Sequence, residues 1–243
     1  MIVFEAGRMY ENVKSWNPFV GCLFNCIYCY DSFRKQAKRW RSRCIKCYNY
    51  EPHFHPERLN KIPSKKTIFA CSMADISFAK MEWIEKILNA IEKHEDKTFY
   101  IQTKNPTIFE RIEDELSLPK NTLKGITLET DLDYIYNGIS KAPKPSLRYQ
   151  TALEIKHLID YITIEPILEF SRDFANRIKA LKPKIVYVGY ESHRRVKLPE
   201  PQIPKTLELI EVLDKFTEVR IKGFEGRFRF YQPLHRKPAK DIL

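Results

Sequence analysis

From residue 66 onward, short apolar runs rich in β-branched and aromatic residues alternate with amphipathic segments of helical period, and this alternation limits the fold more than any other feature. "KTIFACS" (66–72) precedes "EWIEKILNAIEKH" (82–94), whose Trp83, Ile84, Ile87, Leu88 and Ile91 recur at helical spacing. The unit returns: "TFYIQTK" (98–104) before "TIFERIEDEL", "LKGITLE" (123–129) before "LRYQTALEIKHL", and "DYITIEP" (160–166) before "SRDFANRIKALK". "KIVYVGY" (184–190) then leads to "KTLELIEVLDKF" and a last apolar run, "EVRIKGF" (218–224). Most of the strand runs read as continuous, as a parallel sheet covered on both sides requires. Repeated right-handed βα units predict an α/β protein built as a closed or partial (β/α) barrel, with a doubly wound open sheet as the competing topology. With 243 residues, the expectation is a single domain over 1–243. It carries an irregular, basic, cysteine-containing insertion at about 33–65, with one strand around "HFHPE", and a basic aromatic tail at about 219–243.

In βα barrels the side chains at the carboxyl ends of the strands converge in the loops that follow. Here those ends supply Asp75, Lys104, Glu129, Glu165 and Glu191, a polar ring suited to a small charged ligand.

The sequence has no run long and apolar enough for a membrane span and no apolar centre of a leader peptide, so a soluble, cytoplasmic protein is expected. Thiols stay reduced in that compartment, and the six cysteines (22, 26, 29, 44, 47 and 71) point to metal or redox chemistry rather than disulfides. Three of them fall in "SWNPFVGCLFNCIYCYDSF", a C-x3-C-x2-C run with Tyr28 and Tyr30 on either side of Cys29. Cys22, Cys26 and Cys29 at this spacing can wrap a loop around one polynuclear cluster. A four-iron cluster held by three thiolates keeps one iron without a protein ligand, open to cofactor or substrate. A zinc ion would instead need a fourth ligand, Cys44 or Cys47, at an unusual spacing.

The three-cysteine run, with an aromatic residue just before its third cysteine, resembles the signature of the radical S-adenosylmethionine (SAM) superfamily. That resemblance implies a 4Fe-4S cluster whose open iron chelates SAM, reductive cleavage of SAM to methionine and a 5′-deoxyadenosyl radical, and an external electron donor such as ferredoxin or flavodoxin. Over most of the chain, "WNPFVGC", "FHPERL", "SMAD", "TKNP" and "IEPIL" resemble an uncharacterised phage-associated branch, itself similar to spore photoproduct lyase, a DNA repair enzyme. The likeness to the lyase implies an enzyme of lyase or transferase type and several roles. Tyr28 and Tyr30 match its paired tyrosines, as hydrogen relays or as packing beside the cluster. Cys71, in "ACSMADI", matches its hydrogen-donating cysteine; a small buried thiol ending an apolar strand is the other reading. Lys104, in "QTK", is implied as partner of the SAM carboxylate, and Thr127 and Glu129, in "TLET", as facing its ribose. The superfamily's glycine-rich second-strand motif is absent; "CSMAD" stands in its place, which assigns Ser72 and Asp75 to the SAM amino group. Glu165 joins the cofactor-binding set as a member of the polar ring.

Cys44 and Cys47 form a second pair, C-x2-C, followed by His53 and His55. Two thiols and two imidazoles suit zinc; an auxiliary cluster is an alternative, as is a strand position that turns His55 toward the SAM pocket. Charge is uneven: the net +11 divides into +9 over residues 33–66, +5 over 219–243 and −3 over the rest. "FRKQAKRWRSRCIK" sets Phe33 and Trp40 among cations, and the tail interleaves Arg227 and Arg229 with Phe228, Phe230 and Tyr231. Such stretches suit DNA or RNA, cations to phosphates and rings to bases; a solvated charged surface has the same composition. The expected function is a radical SAM enzyme that repairs or modifies a nucleic-acid base. The alternatives are a radical SAM enzyme acting on a peptide or small metabolite, and a zinc-dependent nucleic-acid-binding module.

Overall fold

A computed structural model describes residues 2–4, 13–191 and 196–222. Its main sheet joins β1 (Ile2–Phe4), β2 (Val13–Trp16), β5 (Thr67–Ala70), β6 (Thr98–Thr103), β7 (Thr122–Thr127), β8 (Tyr161–Ile164), β9 (Ile185–Gly189) and β10 (Glu218–Lys222). All pairings are parallel, in the order β1-β10-β9-β8-β7-β6-β5-β2. Strands β5 to β10 are thus laid down one beside the next, and the sheet curls into a half-barrel whose free edges are β2 and β1.

The crossover helices include Met81–Glu92, Thr107–Glu115, Pro145–Glu154, Phe174–Leu181 and Ile203–Leu213. Four of these have one apolar stripe, and Pro145–Glu154 instead buries Pro145, Arg148 and Ala152; Met81–Glu92 buries Ile84, Ile87, Leu88 and Ile91, the i, i+3, i+4, i+7 pattern of an amphipathic helix. These stripes and the strand residues Ile68, Ala70, Phe99, Ile101, Ile126, Ile162, Ile164, Val186 and Val188 form the main core. Each fully buried aliphatic side chain there contributes about 1.5–3 kcal/mol relative to exposure.

The opposite face corrects the expectation of strands apolar on both sides. The intervening positions place Tyr100, Tyr161 and Tyr187 in a separate buried cluster, joined edge to face at 5.2 and 5.8 Å between centroids. The Tyr161 ring lies across Gly125, where a Cβ would come within 2.0 Å of it. Because the side-chain period of a strand is two, the next residues on that face are Gln102, Thr127 and Thr163, and they are polar. Helices on one face and a tyrosine floor on the other make a barrel wall, not a doubly wound sheet.

The insertion attaches at the end of β2. β3 (Phe19–Val20) pairs antiparallel with β4 (His53–Phe54), the strand expected around "HFHPE". Irregular helical turns connect them, among them Ile27–Cys29, Tyr30–Arg34 and Ile45–Asn49. The return is fastened by the Trp16 indole N–H to the Arg58 carbonyl (2.8 Å) and by Arg58 Nη1 to the Asn17 carbonyl (3.0 Å). Of the basic tail, only residues 219–222, within β10, are described; Arg227, Phe228, Arg229, Phe230 and Tyr231 lie outside the described residues. No helix among the described residues is long and apolar enough to cross a membrane.

Candidate functional site

A cavity of about 450 Å³ opens above the tyrosine floor, at the carboxyl ends of the strands. Its inner wall is the polar layer of the concave face: Ser15, Gln102, Lys104, Thr127, Thr163 and Glu165 among others. The Gln102 amide ties three strands together, donating to Thr127 Oγ1 (2.7 Å) and accepting from Thr163 Oγ1 (3.3 Å). Its outer wall is the loop after β3, and Cys22, Cys26 and Cys29 all line it.

Backbone contacts hold that loop. Gly21, at φ +103°, donates to the Met73 carbonyl (3.0 Å), and a Cβ there would lie 2.2 Å from the Glu51 carbonyl oxygen. Only glycine allows this approach. Cys22 N–H then donates to the Tyr50 carbonyl (3.3 Å), and Ile27 N–H to the Ile139 carbonyl (2.9 Å). Cys26 is 3% exposed, its sulfur 3.1 Å from Ser140 Oγ. The hydrogen bond from Cys29 lowers the Cys26 thiol to about 6 against the effect of burial, assisted by the Lys104 charge. Cys29 is raised by that same bond and then by burial, and Cys22 by burial and the nearby Asp75 carboxylate. The three sulfurs form one interacting set.

A buried charge network stands behind the wall. Glu129 is fully buried and accepts from Arg148 Nη1 (2.7 Å), from Lys104 Nζ and from the Tyr28 hydroxyl (2.6 Å). Burial disfavours its charged form, but Arg148 and Lys104 outweigh that and hold the carboxyl far below the usual range. Burial likewise opposes the Lys104 ammonium, and Glu129 reverses the balance and raises it. Burial and Glu129 together raise the Tyr28 hydroxyl well above the usual range. Lys104 also lies 5.5 Å from the Tyr28 ring centroid. A second carboxylate, Asp75, accepts from the Lys104 N–H (2.7 Å), Thr103 Oγ1 (2.6 Å) and the N–H and hydroxyl of Ser77 (3.0 and 2.7 Å). It fixes the end of β6 and so the base of the Lys104 side chain.

Of the residues expected from sequence, Cys22, Cys26, Cys29, Tyr28, Ser72, Asp75, Lys104, Thr127 and Glu165 all line the cavity. Ser72 Oγ donates to Asn17 Oδ1 (3.2 Å), and Glu165 pairs with Lys222 Nζ (2.7 Å). Three others do not line it. Glu129 is walled off behind Lys104 and Tyr28. Tyr30 is 48% exposed and donates to Asn25 Oδ1 (3.1 Å). Cys71 is buried in the main core with the helix-facing residues. His55 does not turn toward the cavity either; with His53 it meets Cys44 and Cys47.

Sequence reasoning missed Gln102 and Thr163, although the signal was present: Gly125-x-Thr127-x-Glu129 and Tyr161-x-Thr163-x-Glu165 run in register, and Tyr100-x-Gln102-x-Lys104 shows the same alternation offset by two residues, with Gln102 opposite Gly125. Arg148, Ser140 and Tyr50 carried no local signal, since their contacts to the site span long stretches of chain. Trp40 offers no bare ring, because the Arg58 guanidinium sits 5.0 Å from its centroid; Phe33 and Arg34 line the cavity.

Comparison with known proteins supports this architecture. Spore photoproduct lyase complexed with dinucleoside spore photoproduct superposes with a TM-score of 0.53 at 11% identity, over 90% of this chain and 81% of that one. A mutant of the same lyase, with bound AdoMet and dinucleoside spore photoproduct, gives 0.55 at 12% over the same shares. Streptococcus suis SuiB bound to S-adenosylmethionine gives 0.53 at 12%, over 92% of this chain and 51% of that one. At these identities the likeness is one of fold. No curated protein sequence matches. A family model described as "Protein of unknown function (DUF5131)" matches residues 10–207, which take in the cysteine run, the insertion and the strands of the cavity wall from β2 to β9. The chain belongs to that family.

Proposed function

We propose that this protein is a radical SAM enzyme that holds a 4Fe-4S cluster on Cys22, Cys26 and Cys29 and binds SAM in the adjoining cavity. The observation that carries this reading is the disposition of the six cysteines. The three of the run line one cavity at the strand ends, while Cys71 is buried in the core and Cys44 and Cys47 face two histidines. A cluster on the run therefore has no fourth cysteine within reach among the described residues, and one iron stays open. The donor set fits: three thiols from one short loop line the same cavity, and thiolates are the ligands such a cluster takes. When bound, cluster and SAM together supply a 5′-deoxyadenosyl radical able to take hydrogen from an unactivated C–H bond.

The protein's own groups then bind and orient. Lys104 presents its ammonium at the cavity wall and pairs with the SAM carboxylate. Glu129 and the Tyr28 ring aim that ammonium, so both are positioning residues. Asp75 positions the same side chain through its backbone. Thr127, Thr163 and Gln102 offer neutral hydroxyl and amide groups suited to ribose hydroxyls, and the Ser72 hydroxyl, which also lines the cavity, would accept from the amino group. Cys71 serves as core packing in this reading. The electron comes from a separate donor protein.

The substrate class is a nucleic-acid base. Arg34 and Phe33 line the cavity in the stretch that carries a net +9, a cation beside a partly exposed ring. The structural neighbour spore photoproduct lyase is seen with a dinucleoside lesion, which supports the same class. The test is anaerobic reconstitution with iron and sulfide, then dithionite and SAM, with and without single-stranded and duplex oligonucleotides. Formation of 5′-deoxyadenosine is expected, with oligonucleotide binding that weakens as salt rises. A fully loaded protein that yields no 5′-deoxyadenosine would overturn the reading; product formed without any oligonucleotide affinity would remove the nucleic-acid part.

A further inference from the structure

Among the described residues, one group of metal-ligating side chains lies outside the cavity. Cys44 Sγ is 3.3 Å from His53 Nε2, and Cys47 Sγ is 3.2 Å from His53 Nε2 and 3.1 Å from His55 Nε2. All four ligand atoms lie within 4.8 Å of one another, and Cys47, His53 and His55 are buried. In a tetrahedral zinc site with sulfur at about 2.3 Å and nitrogen at about 2.0 Å, the sulfur–nitrogen edge is about 3.5 Å, close to these separations. A two-iron cluster with its thiolates on one iron and its imidazoles on the other would hold sulfur and nitrogen much farther apart. The geometry therefore suits a single ion.

The surroundings are those of a ligand set already oriented. The Cys47 N–H donates to Cys44 Sγ (3.0 Å), folding the C-x2-C turn at the start of helix Ile45–Asn49. His53 Nδ1 lies 2.7 Å from the Glu51 carbonyl oxygen, and His55 Nδ1 lies 2.7 Å from the Glu57 carboxylate. Each Nδ1 is thus occupied by an acceptor, which fixes the tautomer and leaves Nε2 as the ligand atom, as outer-sphere partners do around zinc. Two thiolates and two imidazoles in tetrahedral array select zinc among the abundant divalent ions.

We propose that Cys44, Cys47, His53 and His55 bind one zinc ion in a closed structural site that fastens the insertion to the loop carrying the three-cysteine run. The fastening is direct. His53 sits opposite Val20 in the β3–β4 pair, the Tyr50 carbonyl receives the Cys22 N–H, and Glu51 abuts Gly21. Tyr50, which caps helix Ile45–Asn49 in the left-handed region, itself lines the cavity. Four protein ligands leave no position for a substrate, so the ion organises structure and takes no part in turnover. This goes beyond the proposed activity and does not depend on it.

The test is zinc content of the full chain, expressed with added zinc and purified in air. About one zinc per chain is expected, as a closed four-ligand site predicts. The same content is expected in the triple variant Cys22→Ala/Cys26→Ala/Cys29→Ala, whereas Cys44→Ser/Cys47→Ser falls by about tenfold or more. If that double variant does not fold, cobalt(II) replaces zinc in the unmodified chain: intense visible bands of a tetrahedral thiolate site, abolished by one equivalent of zinc, are the expected result. Background zinc with no such cobalt bands, zinc that follows the Cys22–Cys26–Cys29 set, or an iron–sulfur chromophore persisting in the triple variant would each overturn the proposal. The readout is zinc rather than 5′-deoxyadenosine, so failure here is distinct from failure of the catalytic reading.

Discussion

Replacing Cys22, Cys26 or Cys29 singly by Ala is expected to strip the iron–sulfur chromophore and bring 5′-deoxyadenosine formation down to background. The effect is this large because nothing nearby substitutes for a lost thiolate: the other three cysteines lie in the core or among the histidines of the insertion. Cys71→Ala is the matched control. Its thiol is 4% exposed, packed with helix-facing residues, and burial pushes it up to about 12, so it is an inert core group. Removing one buried sulfur costs about 1 kcal/mol in stability, with iron content and SAM cleavage retained. Iron and acid-labile sulfide assays on the four variants, alongside product analysis, separate these outcomes.

Glu129→Gln is expected to destabilise the fold by about 3–5 kcal/mol, the usual consequence of leaving buried charge without its partner. Two cations, Arg148 and Lys104, converge on this carboxylate, and Arg148 is wholly buried with Nε and Nη2 lacking hydrogen-bond partners. A glutamine turns an N–H₂ toward donors and removes the negative charge they share. The pH dependence follows from the direction of the shift. The folded carboxyl titrates far below its unfolded value of about 4.3, so its contribution is complete above that pH and is lost as pH falls toward the folded value. Urea denaturation should therefore show a gap between the two proteins that is full at pH 7 and narrows below about pH 4. A gap independent of pH would mean that lost packing, not charge, accounts for the destabilisation.

The site was legible where local pattern determines geometry. The spacing of Cys22, Cys26 and Cys29 pointed to one loop acting together, and that loop does line the cavity; strand ends named Asp75, Lys104 and Glu165 as wall residues. What sequence did not convey was depth. Glu129 and Lys104 are both strand-end residues, yet one borders the cavity and the other is sealed behind it. The difference is made by Arg148, 19 positions away on helix Pro145–Glu154, and by the Tyr28 hydroxyl from the cysteine loop. Asp75 was read as a ligand for the cofactor and is mostly consumed in fixing β6, because Thr103 and Ser77 donors were not visible as its partners. His55 illustrates the reverse case. As the residue just after a two-residue strand it had no determined direction, and only the helical turns of the insertion bring Cys47 against it.

The central claim is that one iron of a cluster on Cys22, Cys26 and Cys29 is left to SAM. Electron paramagnetic resonance of the anaerobically reduced protein tests it most directly, with and without SAM carrying an isotopically labelled amino nitrogen. The account predicts the signal of a reduced four-iron cluster that shifts when SAM is added and shows hyperfine coupling to the labelled nitrogen. A four-iron signal indifferent to SAM, or none in fully reconstituted protein, would contradict it.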